Sequence, residues 1–207
     1  MKQFDAATYC KYLRWLCYLF VANAIIATIS NISSNFVTSL ASLVVLLLVI
    51  YALYHLSPFH SGFQLALILC VVGTVMALVS IVAALMLVEL VPLLALLLAF
   101  SPIIFSIAQY WAMLDAVRDI SRAHGLYALA DRAQQLRPQV LMSCGLFVIS
   151  ILLTALFSPF IFLALIGIIW MIVNSVQIFL LFYRCSNQVY IPVVDDNPLP
   201  NPEDPFS

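Results

Sequence analysis

Charge is what this sequence has least of: of 207 residues, 8% are Asp, Glu, Lys or Arg, against 65% hydrophobic. Soluble domains carry about 25% charged and about 45–50% apolar residues. So thin a charged complement excludes a soluble globular fold, because a domain of this size still presents much of its area to water. Glycine is scarce as well, at five residues, and no G-x-x-x-G pair occurs. That removes one familiar motif for close helix dimers in lipid. The five cysteines are odd in number and lack paired spacing, so neither a disulfide framework nor a zinc module is indicated.

Chemical motifs are missing too. There is no H-E-x-x-H, no Walker A loop, no G-x-S-x-G and no acidic cluster to hold a metal for phosphoryl transfer. Cys17, Cys70 and Cys144 fall at similar depth, but without paired spacing they make no soft-metal site. The expectation is a non-enzyme with no catalytic residue, no metal and no cofactor. Nucleic acid is not an expected partner, since its binding needs many phosphate contacts.

What the chain does have is long apolar runs. They span residues 12–56, 63–112 and 139–183. One crossing of a bilayer takes about 20 helical residues, so each run holds two crossings. Each is broken near its middle: at Asn31-Ile32-Ser33-Ser34-Asn35, at Glu89 and Pro92, and at Phe157-Ser158-Pro159-Phe160. Turn formers, a carboxylate at the water boundary and a proline in a first helical turn all suit such breaks. The fold class is therefore all-α: a polytopic membrane bundle with helices at about 12–31, 36–56, 63–88, 90–114, 139–157 and 160–183, arranged as three hairpins. Lys2, Lys11, Arg14 and Ala22-Asn23-Ala24 resemble a signal peptide and its cleavage site. The apolar run continues through Ile25, Ile26 and Ile29 to spanning length, which favours a retained first helix.

The charges give this bundle a direction. All eight Lys and Arg fall at or before the start of helix 1, between helices 4 and 5, or after helix 6. The positive-inside rule makes that side the cytoplasm, so both termini are expected there and the bilayer is expected to be the cell membrane. All nine tyrosines, and the histidines His55, His60 and His124, gather on the same side. Thiols there stay reduced, so no disulfide is expected.

Several features are candidates for function. On helix 3, Ala66, Cys70, Gly73, Ala77, Ser80 and Ala84 follow a 4-3-4-3-4 spacing and form one small-residue face. Such a face lets backbones approach closely, either inside the bundle or against another membrane subunit. Asn23, Asn174 and Gln177 are the polar candidates within the apolar runs, with Asn23 and Asn174 near the midplane and expected to seek each other. Glu89 is the lone acid within the runs, and Pro102 sits mid-helix as a kink. Residues 115–138 form the largest polar element. There Asp115, Arg118, Asp119 and Arg122 are spaced for ion pairs along a helix, Gly125 ends that helix, and a short amphipathic helix follows on the leaflet surface. Arg118, Arg122, Arg132 and Arg137 are its candidate contacts for a partner or for anionic lipid.

The tail, residues 186–207, is acidic and rich in proline, with Pro192, Pro198, Pro200, Pro202 and Pro205, a composition that builds no core. Residues 56–66 and 120–130 match at Ser, His, Leu and Ala at a constant offset of 64, which suggests tandem parallel hairpins. In size, and in a first helix carrying Ala24 and Thr28, the chain resembles the substrate-binding subunits of energy-coupling-factor vitamin transporters. It departs from them in lacking substantial outer loops, and membership is not assigned. Two functions follow: a non-enzymatic accessory or scaffold protein acting through its cytoplasmic face, or a small transporter or transporter subunit with a hydrated cavity at Asn23, Asn174 and Gln177.

Overall fold

The computed structural model describes residues 5–32, 36–87, 92–156 and 161–189. These residues form six helices and no strand: α1 Ala6–Ile32, α2 Phe36–Leu56, α3 Ser61–Leu87, α4 Pro92–Ala123, α5 Tyr127–Leu156 and α6 Ile161–Gln188. By length and composition, Val37–Leu56, Ser61–Val79 and Leu165–Gln188 are apolar enough to cross a membrane among the described residues.

The helices form a ring. Each packs on the next, α6 returns to α1, and α4 touches α6 across the middle. Contacts within each hairpin, α1–α2, α3–α4 and α5–α6, exceed those between hairpins. Among the described residues, the charged side chains collect at one end of this ring, where α1, α3 and α5 begin and α2, α4 and α6 finish.

Helix boundaries differ from the apolar runs mainly at that charged end. There α1, α4, α5 and α6 all continue past the hydrophobic sequence. The cause is burial: Tyr9 and Cys10, Val117 and Ile120, Leu129, Ala133 and Leu136, and Cys185 are all buried in these extensions. Hydropathy reads the lipid-facing length of a helix, whereas the helix persists as long as one face has a partner. The amphipathic segment after Gly125 is accordingly not a separate surface helix. It is the first third of α5, which runs straight through Pro138. Proline removes a single backbone donor, and the buried face formed by Ala133, Leu136 and Val140 carries on across it. Likewise, residues 186–188 belong to α6, with Ser186 buried, rather than to the tail. Residues 190–207, where the rest of the tail falls, lie outside the described residues.

Local signals start and stop the helices at this end. Asp5 caps α1: its Oδ1 accepts from the backbone N–H of Ala7 at 3.1 Å and of Thr8 at 3.2 Å. That cap favours the charged carboxylate, and the Thr8 bonds hold the Asp5 carboxyl below its ordinary pKa. Gly125 ends α4 with φ of 73°. The N–H of Leu126 donates to the Ser121 carbonyl at 2.8 Å and that of Gly125 to the Arg122 carbonyl at 3.1 Å. This is the paired closure of a helix C-terminus that a left-handed glycine permits.

Among the described residues, the packed core also belongs to the charged end. Tyr9, Leu13, Leu53, Leu56, Phe63, Met113, Val117, Leu136 and Phe182 are fully buried there. Gly62 brings α3 against α4: a β-carbon at that position would stand 2.6 Å from the Ala112 carbonyl oxygen.

Candidate functional site

Two polar constellations stand out, one at the charged end and one in the middle of the bundle. The first joins every helix. The Cys185 thiol on α6 sits 3.6 Å from the Tyr9 hydroxyl of α1 and 3.5 Å from the Ser121 hydroxyl of α4. Arg14 of α1 donates to Asn187 Oδ1 of α6 at 2.9 Å. The Tyr12 ring stacks on His55 of α2, with centroids 4.3 Å apart, and Tyr9 meets Phe59 edge-on at 5.7 Å.

His60 links α3 to α4. Its Nδ1 accepts from the Gly62 N–H at 3.0 Å, which makes it the cap of α3. A ring nitrogen that accepts carries no proton, so in the neutral ring the proton is on Nε2. That atom lies 3.3 Å from Asp119 Oδ2. Asp119 also accepts from Arg118 Nε at 2.8 Å. The Arg118 hydrogen bond is the main reason the Asp119 carboxyl lies below its ordinary pKa, and it raises that of Arg118 in turn.

The four arginines proposed as free contacts differ in what they do. Arg118 pairs with Asp115 at 2.7 Å, three residues before it, as the helix spacing implies. Arg137 also binds Asp115, at 2.9 Å, and its guanidinium stacks 4.5 Å from the Trp111 ring centroid. Arg122 does not pair along its own helix. It reaches α5, donating to Gln134 at 2.9 Å and facing Asp131 at 3.8 Å. Arg132 donates to Gln177 Oε1 on α6 at 3.1 Å. Half-buried Arg118 and Arg137 therefore bind the structure together, while Arg122 and Arg132 stay exposed. The spacing along α4 shows the first pairing; the bonds to α5 and α6 depend on which helices become neighbours.

The second constellation centres on Asn174, which is 3% exposed. Its Nδ2 donates to the Gln139 carbonyl at 3.0 Å and to Ser143 Oγ at 2.9 Å, both on α5. Its Oδ1 is buried with no hydrogen-bond donor. An unpaired buried acceptor of this kind costs about 1–3 kcal/mol. Asn174 borders a cavity of about 280 Å³ between α4, α5 and α6.

The three amides marked in the sequence are not gathered there. Asn23 is exposed on α1, and α1 and α5 are not neighbours in the ring. Asn174 finds α5 instead, and Gln177 is tied to Arg132. Glu89 lies outside the described residues. On α3, Ala66 and Cys70 are buried and Gly73 and Ala77 half-buried. A β-carbon at Gly73 would stand 3.0 Å from Phe105 Cβ of α4, so this part of the face meets α4. Ser80 and Ala84 belong to α3, with side chains outside those described. The residues missed from sequence are Ser143 and Cys185. Both look like ordinary small side chains along the chain, and no local pattern marks them.

No family model, curated protein or solved structure matches this chain.

Proposed function

We propose that the chain is a multi-pass protein of the cell membrane with six crossings and both termini in the cytoplasm, working as a non-enzymatic scaffold through its cytoplasmic face. One observation carries this reading. Helices α4 and α5 are 32 and 30 residues long, where a crossing needs about 20. Their excess lies at the charged end and forms a helical hairpin reaching beyond the bilayer surface. The hairpin is stiffened by Asp115, Arg118, Asp119 and Arg137, and bridged by Arg122 to Gln134 and Asp131. The hairpin exposes Tyr127, at 66%, and also Arg122, Asp131, Arg132 and Gln135. Tyrosine and arginine are residue types enriched in protein-contact surfaces.

Photo-crosslinking in intact membranes tests it, with a benzophenone amino acid at Tyr127 or Gln135 and, for comparison, at Val72 on an exposed apolar helix wall. The scaffold reading predicts a discrete protein adduct from the hairpin positions and none from Val72. Hairpin positions that crosslink only to lipid or not at all overturn it. A single cysteine at position 127 of a cysteine-free chain should also be labelled only after the membrane is permeabilised; labelling from outside overturns the topology.

The second reading is a small transporter or transporter subunit. The cavity beside Asn174 favours it, but Asn23 and Gln177 stand apart from that cavity, so the polar path it needs is not assembled.

A further inference from the structure

We propose that the cavity between α4, α5 and α6 binds a small, neutral, flat apolar molecule bearing one N–H or O–H donor, which Asn174 receives through its Oδ1. The proposal stands apart from the scaffold reading, since a binding pocket serves a scaffold and a carrier equally well.

The orientation of the Asn174 amide is set by its neighbours. Gln139 offers a carbonyl, which only accepts, and the Ser143 hydroxyl proton is committed to the Val140 carbonyl at 3.0 Å. Both partners therefore require the NH₂ group of Asn174. The oxygen is left as the group with no donor in the protein. Native buried polar atoms nearly always have a partner, and the Asn174 oxygen borders a cavity from which a donor can reach it.

The surroundings say what kind. None of the residues lining the cavity carries a formal charge. An ion entering it would lose its hydration without a counter-charge, which restricts the ligand to neutral molecules. The volume of about 280 Å³ exceeds the roughly 150 Å³ that holds benzene in an apolar cavity. It lies near the low end of the roughly 300–1,000 Å³ common for ligand pockets. The lining includes the Tyr110 ring and the Met171 thioether, both of which favour contact with an aromatic ring. The Ser175 hydroxyl donates to the Met171 carbonyl at 2.8 Å, so its proton is not offered to the Asn174 oxygen. A ring of one or two cycles with a single donor satisfies size, neutrality and the unpaired acceptor together.

Indole and indene make the test. They share a shape, and indene lacks the N–H. Equilibrium dialysis of the full chain in lipid nanodiscs, with empty nanodiscs subtracted, is expected to show saturable indole binding at least about tenfold tighter than indene, because one hydrogen bond to a buried acceptor separates them. In Asn174→Leu that preference should vanish. In Ser175→Phe, which fills the cavity and leaves the amide intact, binding of both should be lost. Gln177→Ala, outside the cavity, should bind as the unmodified chain does. Equal affinity for indole and indene on the unmodified chain overturns the proposal, as does indole uptake no greater than that of empty nanodiscs. Both outcomes are read without any variant, so a misfolded Asn174→Leu cannot decide the question.

Discussion

The charged end of the bundle and its apolar middle are built on different terms. At the charged end, aromatic rings, thiols and ion pairs from all six helices interlock, and large side chains such as Phe63 and Phe182 are fully buried. Further along, side chains such as Ile25, Val72, Ile104 and Ile172 are exposed, and the helices meet through small residues with a cavity left between three of them. In the proposed membrane setting, the difference follows from the solvent. Lipid supplies no hydrophobic drive between helices, so the middle can leave apolar side chains facing out at no cost. Outside the bilayer, the same side chains must be covered. The charged end is therefore the closely packed part of the bundle, and the middle keeps a cavity.

Substitutions can break this contrast. The largest expected effect is Phe182→Ala, which should lower stability by about 3–5 kcal/mol through the cavity left in a packed core. Ile172→Ala, 58% exposed, should change it by well under about 1 kcal/mol. Denaturant titration of the two variants in detergent checks both. Equal losses would mean that the two regions are packed alike.

Glycines give the next contrast. Gly62→Ala places a β-carbon against the Ala112 carbonyl at 2.6 Å and should cost about 1–3 kcal/mol. Gly145→Ala meets nothing within 4 Å and should gain up to about 1 kcal/mol from helix propensity. Opposite signs in the same titration are the expected outcome; a neutral Gly62→Ala would dissolve the α3–α4 contact inferred here.

Smaller effects come from the ion network. Asp115→Asn loosens both Arg118 and Arg137 and should cost about 1 kcal/mol, with high salt shrinking the difference. Melting temperatures at low and high ionic strength check it. Asp119 gives the smallest effect, and its sign can be worked out. Its carboxyl titrates lower in the folded protein than in the unfolded chain, chiefly through the Arg118 hydrogen bond. Its contribution is thus fully present above the ordinary carboxylate range and is lost as pH falls through the lowered value. Asp119→Asn should therefore narrow its gap to the unmodified chain below about pH 4. A gap that widens on acidification would contradict the pairing.

Much of the helical order is readable along the chain, because it is local. Apolar length set the number of helices, Gly125 marked the end of α4, and the 115/118 spacing placed one ion pair. The candidate sites were less legible. Ala66 and Cys70 share a face by their spacing alone, yet which helix that face meets is not a property of α3. Asn23 and Asn174 look equivalent in sequence and end in opposite settings, one exposed and one buried.

Composition and hydropathy period alone call for an all-helical, lipid-compatible chain with its lysines and arginines at one end, because they act over a few residues at a time. It takes the assembled bundle to carry α5 on through Pro138, to join His60 at the start of α3 to Asp119, and to set Asn174 against α5 with its oxygen left over. Each of those depends on which helices become neighbours around the ring. Neighbour choice is a balance of many weak contacts between residues far apart in sequence, and no single stretch of the chain contains it.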